Sequence, residues 1–153
     1  MDLATSIIAL VLVGICVSPF MIMGLKKVKN KKQQFQNLSR LANENNLTIG
    51  QYDVFGNLSI GIDSKNNQLL FFRNDKNHNK IEQCVDISNI KNCSINKTGT
   101  KDVIKQIELC LHTIIKNQQE INLLFFDNQT EFQLNGQLQL AEKWKNIIQK
   151  QLN

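Results

Sequence analysis

Residues 3–25 run for 23 positions without one charged side chain. As an α-helix at ~1.5 Å per residue they would extend ~34 Å, enough to cross a ~30 Å hydrocarbon layer, so the first expectation is a transmembrane anchor over residues 1–25. A cleaved signal peptide fits less well. Met1-Asp2 brings no Lys or Arg, the apolar run exceeds the usual ~7–15 residues, and lysines follow it in place of an Ala-x-Ala-like site. Positive residues near a span stay on the cytoplasmic side. Asp2 precedes the run, and Lys26, Lys27, Lys29, Lys31 and Lys32 follow it. The expectation is a single-pass protein of the cytoplasmic membrane, N-terminus out and folded domain in the cytoplasm. Those lysines would rest on an anionic lipid surface, each contributing ~1 kcal/mol of attraction.

The same five lysines decide what the net charge means. The chain carries 18 Lys+Arg against 13 Asp+Glu, a formal +5. Without the five lysines that charge is 0, and residues 33–153 hold 13 basic against 12 acidic side chains. A nucleic-acid binder concentrates positive charge on its folded surface, so no nucleic-acid partner is expected. A single Pro and 7 Gly exclude collagenous and Pro-rich disordered chains, and 8 Phe among abundant Ile and Leu supply a core.

Chemistry-bearing residues are sparse. Cys16 falls in the apolar run, which leaves Cys84, Cys93 and Cys110, an odd number at spacings of 9 and 17 that match no zinc or redox pattern. Alternation along 107–112 puts Cys110 and His112 on one face of a strand. A metal site there would need Cys84 to reach the same face; small buried thiols are the simpler reading, and no metal or cofactor is expected. His78 lies in the polar run 74–80 and reads as a loop residue. Asn-x-Ser/Thr triplets at Asn37, Asn46, Asn57, Asn92, Asn96 and Asn128 follow from the high Asn content, as an AT-rich, bacterial genome would encode it. Asp53, Asp63, Asp75, Asp86, Asp102 and Asp127 fall mostly at turns and strand ends, where capping is their ordinary role. No Gly-rich phosphate loop or nucleophile elbow accompanies them, so the chain is not expected to be an enzyme.

Beyond the lysines, Phe35, Leu38, Leu41 and Ala42 lay a narrow apolar stripe on a short amphipathic helix over 33–46, expected to pack on its own domain. From residue 50 the period becomes two, with strands at 58–63, 68–73, 80–86, 91–96, 104–113 and 121–127. Short connections rich in Asn, Asp and Ser, such as 63–67, favour antiparallel meanders. Two strands share one string, Leu69-Leu70-Phe71-Phe72 and Leu123-Leu124-Phe125-Phe126. Apolar residues on both faces call for a cover on each, for which the two amphipathic helices are available, and an exposed partner-binding patch would give the same signature. The last helix starts near Asn135-Gly136, and its Leu138, Ala141, Trp144, Ile148 and Leu152 form a core-facing stripe centred on the one Trp.

An antiparallel strand series closed by a C-terminal helix with a central Trp, here Leu140-Ala141-Glu142-Lys143-Trp144, resembles the pleckstrin-homology (PH-like) superfold over roughly residues 50–152. The hairpin Ile60-Gly61-Ile62-Asp63 to Leu69-Leu70-Phe71-Phe72 and the segment Val85-Asp86-Ile87-Ser88-Asn89-Ile90 support the likeness. The organisation expected is α+β: a transmembrane helix over 1–25, a basic juxtamembrane linker with the amphipathic helix over 26–48, and an antiparallel PH-like β-barrel or sandwich capped by a C-terminal helix over 49–153. The superfold has seven strands, and residues 47–53 or 129–134 would have to supply the seventh. Lipid-binding members grip phosphoinositide headgroups with a basic loop between the first two strands, for which this chain offers Lys65, and Arg73 at the end of the next strand. The superfold hosts many functions, so the expected one rests on the anchor joined to a near-neutral domain without a chemical site: a membrane-anchored interaction module for a membrane or cytoplasmic protein partner, with a lipid or membrane-surface sensor using Lys26 to Lys32, the 33–46 helix, Lys65 and Arg73 as the alternative.

Overall fold

The computed structural model describes residues 3–74, 79–100, 102–115, 120–131 and 133–152, with the side chains of residues 3–6, 9, 10 and 14–27 left out. The first element is one α-helix, α1, over Leu3–Glu44. At ~1.5 Å per residue its 42 residues extend ~63 Å. The amphipathic stretch is therefore not a separate helix but the last turns of α1. Lysine is a good helix former, so the basic run does not interrupt the element.

Among the described residues no helix is long and apolar enough to cross a membrane. This overturns the transmembrane anchor and the single-pass placement, N-terminus out, that rested on it. The described apolar side chains near the start of α1 are Ile7, Ile8, Val11, Leu12 and Val13, each more than half exposed. Exposed Lys29, Lys31 and Lys32 follow on the same continuous helix. Where the sequence pattern drew a boundary between anchor and linker, the backbone draws none.

The remainder is α+β. Four antiparallel strands, β1 (Gln51–Phe55), β2 (Leu58–Asp63), β3 (Gln68–Asn74) and β4 (Lys80–Asp86), form one sheet in sequence order. A 3₁₀ turn, Ile87–Asn89, leads to a second antiparallel sheet of β5 (Ile90–Gly99), β6 (Ile104–Thr113) and β7 (Ile121–Asp127). The chain closes with α2, Gln137–Leu152. Strand β1 is the one absent from the six expected; its five residues have no buried member, so the core signal is weak there. Gly56, at φ 57°, opens the two-residue β1–β2 hairpin in the form that wants Gly first.

The main core lies between the sheets and is closed by α2. Leu58, Ile60, Ile62, Leu69 and Phe71 of the first sheet meet Ile107, Leu109, Leu111, Leu123 and Phe125 of the second, with Ala141, Trp144 and Ile148 from α2. Trp144 is fully buried, and its indole N–H donates to Asp53 Oδ2 at 2.9 Å. Lys143 Nζ holds the same carboxylate at 2.7 and 2.9 Å, so β1 and α2 are pinned together.

A smaller core covers the outer face of the first sheet. Leu38, Leu41 and Ala42 of α1 pack on Leu70 and Phe72 of β3, with Leu47 and Ile49 alongside. Small residues on β2 make room. Ser59 Oγ donates to Gln34 O at 3.2 Å, and a Cβ on Gly61 would lie 3.1 Å from Leu38 Cδ2. Phe35 and Tyr52 add a tilted ring contact at 4.4 Å. The end of α1 is a Schellman turn: Leu47 N–H reaches Ala42 O, Asn46 N–H reaches Asn43 O, and Asn46 takes φ 55°.

The two Leu-Leu-Phe-Phe strings are solved differently. In β3 they alternate, with Leu69 and Phe71 in the main core and Leu70 and Phe72 under α1. In β7 a register shift opposite Ile107/Glu108 turns Phe125 and Phe126 both inward, leaving Leu124 half-buried.

Candidate functional site at the β5 edge

Strand β5 borders the second sheet, pairing among the described residues with β6 on one side only. It has ten residues, long for an edge, and from Asn96 to Gly99 all are exposed. Register with β6 is continuous from Asn92 to Thr98. Cys93 N–H is taken by Asn92 Oδ1 at 2.8 Å, which places it among the amides that face away from β6. Antiparallel ladders alternate, so the N–H groups of Ile95 and Lys97 face the free edge too. An unpaired edge of this kind is a template for another strand.

Helix α2 runs beside this edge. Cys93 Sγ lies 3.5 Å from Lys145 O, tying strand to helix. Ser94, Ile95, Lys97, Glu142, Lys145 and Asn146 line a groove of about 500 Å³ between them. Its walls combine the apolar Ile95 with two cations, one carboxylate and an amide, which suits a polar chain with an apolar anchor.

Ser94 also belongs to a hydrogen-bonded row across the sheet. Its Oγ is 2.8 Å from His112 Nε2, and His112 Nδ1 is 2.7 Å from Glu120 Oε1. The register explains the row. Ser94 is opposite Cys110 and Asn92 opposite His112, so Ser94 and His112 are diagonal neighbours on one face. Cys110 is opposite Asn122, which brings Glu120, just before β7, beside His112. Cys110 is buried on the same face; burial, then Glu108 and Glu120, push its thiol up, so it stays protonated. Cys110 and His112 share a face, as alternation along 107–112 demands. Ser94 and Glu120 were invisible in the sequence, because only the β5–β6–β7 register brings them to His112.

The other singled-out residues are dispersed. Lys29, Lys31 and Lys32 are exposed on α1, while the side chains of Lys26 and Lys27, like that of Cys16, lie outside the described residues, as do Asp75 and His78. Lys65 is exposed in the β2–β3 turn, its N–H on Asp63 Oδ1 at 3.0 Å. With β1 in place, that turn is the second hairpin of the sheet, and the first contains only Gly56 and Asn57. Arg73 is 1% exposed. Its guanidinium donates to Leu124 O at 2.8 Å and Thr130 Oγ1 at 3.0 Å and pairs with Glu131 at 3.1 Å. Glu131 in turn accepts from Gln137 Nε2 at 2.6 Å, so Arg73 fixes the segment that leads into α2.

Cys84 is exposed on the first sheet, and burial of part of its side chain, then Asp86, raise its thiol. Among the described residues no group of three or more His, Cys, Asp and Glu is placed to hold a metal ion. Set against protein-family models, curated proteins and solved structures, the chain matches none of them.

Proposed function

We propose that this chain is a protein-interaction module of PH-like architecture that receives an extended peptide of a partner protein as an added strand along β5. The observation that carries the reading is the edge of β5, which has no second strand beside it among the described residues, next to the α2 groove. Main-chain hydrogen bonds from Ile95 and Lys97 supply affinity, and the groove reads every second side chain of the peptide. The four-plus-three strand order with a C-terminal helix supports the architectural part. The near balance of charge after residue 32 agrees with a partner recognised by shape and backbone pairing more than by charge.

The test is selection of peptides from a random displayed library on the full chain, followed by amide exchange with and without the selected peptide. The expected result is new protection at the Ile95 and Lys97 amides. Lys97→Pro is expected to abolish binding while leaving the fold intact, because that N–H is outside the β5–β6 ladder. Selected peptides that protect other strands, or bind Lys97→Pro undiminished, overturn the reading.

A further inference from the structure

The row Ser94–His112–Glu120 has a direction. A carboxylate only accepts hydrogen bonds, so Glu120 requires the proton of the neutral imidazole on His112 Nδ1. Nε2 is then the acceptor, and Ser94 Oγ–H must donate to it. This is the polarity of a serine nucleophile with its general base and an orienting carboxylate, a constellation identified by geometry and not by order in the chain. The alternative nucleophile on this face, Cys110, is buried and its thiol raised. His112 is a third exposed and Ser94 half-buried, so a small molecule reaches the hydroxyl from the outer face of the sheet.

The geometry points to Ser94 as an acyl-accepting nucleophile toward carboxylic esters, with His112 as its base and Glu120 as the positioning residue. This goes beyond the interaction reading and does not rest on it. In the step, a bond forms between Ser94 Oγ and the ester carbonyl carbon as the Oγ proton passes to Nε2. The bond from that carbon to the alcohol oxygen breaks, and the alcohol leaves with the proton from Nε2. Water then gives a proton to Nε2 as its oxygen bonds to the acyl carbon. The acid departs, and Ser94 Oγ recovers the proton.

The test treats the full chain with an alkyl fluorophosphonate, which forms an Oγ–P bond with loss of fluoride, and reads the adduct by intact and peptide mass spectrometry. The parent is expected to gain one adduct on Ser94, and Ser94→Ala none. His112→Ala is expected to slow labelling by about 10²-fold or more. Glu120→Gln is expected to slow it less, with recovery in Glu120→Asp. Trp144 fluorescence confirms that each variant is folded. p-Nitrophenyl acetate hydrolysis should fall in the same order. A folded parent that takes no adduct on Ser94 under excess probe overturns the inference, and so does labelling of His112→Ala at the parental rate.

Discussion

Trp144 joins the helix to both sheets, and truncating it tests how the domain is closed. A buried Trp removes ~200 Å² from water, which at ~25 cal/mol per Å² corresponds to ~5 kcal/mol. Large-to-small aromatic substitutions in cores cost ~3–5 kcal/mol. The indole N–H bond to Asp53 adds little to this total. Asp53 keeps Lys143 at 2.7 Å and is about a quarter exposed, so its carboxylate is not stranded when the indole is removed. Trp144→Ala should therefore cost ~4–5 kcal/mol, close to the whole stability of many domains of this size. Trp144→Phe keeps an aromatic ring and loses the N–H and part of the volume, for ~1–2 kcal/mol. Because the substitution deletes the one Trp of the chain, unfolding in urea is followed by far-ultraviolet circular dichroism. A Trp144→Phe, Asp53→Ala double-mutant cycle should return ~1 kcal/mol of coupling from the lost hydrogen bond. Trp144→Ala unfolding within 1 kcal/mol of the parent would refute the argument, since no core space of that size closes without loss.

Three contacts elsewhere in the fold give further outcomes. Asp63 accepts from the backbone of Thr48, Lys65 and Asn66 and from the Asn66 amide, and these bonds, Thr48 first, lower its carboxyl to about 2. A lowered folded value stabilises above the unfolded one, near 3.8, and that contribution fades as pH falls toward 2. Asp63→Asn should flatten the fall of melting temperature between pH 4 and 2; an unchanged acid limb counts against the assignment. Arg73→Ala removes the cation from the mostly buried Glu131, which keeps the Gln137 amide, and should cost ~3–5 kcal/mol in urea unfolding, whereas Arg73→Met with Glu131→Gln should recover much of it; equal losses in both would show that the pair does not hold the segment before α2. Gly61→Val forces side-chain atoms against Leu38 and Ile49 and should lift the end of α1 at ~1–3 kcal/mol, seen as faster proteolysis over 33–47 with the Trp144 environment unchanged; protection equal to the parent would mean that α1 does not press on β2.

Local pattern was a sound guide wherever burial follows a short period. Strands β2, β4, β6 and β7 have the limits that alternation and turn residues indicate, and the stripe Leu38, Leu41, Ala42 covers the outer face of β3. The stripe on α2 places Trp144 in the core for the same reason: a 3.6-residue period commits one face of a helix to burial. Period alone failed where the backbone departs from regularity. β1 has no buried residue to mark it, and the β7 bulge makes one copy of Leu-Leu-Phe-Phe bury both Phe on the same side. The uncharged run at the start points to an independent anchor, but its length carries no information on where the helix stops, and α1 continues to Glu44.

What the sequence by itself determined is the inventory: an α+β chain, its antiparallel order, most strand limits and the residues that must be buried, all consequences of local hydrophobic period and turn chemistry. What only the tertiary structure decided is which distant residues meet. Arg73 sits inside on Glu131, Asp53 lies under Trp144, and Ser94 is diagonal to His112 beside Glu120. Strand register sets these meetings, and a register shift of one residue moves every side chain to the opposite face, so no local pattern contains them.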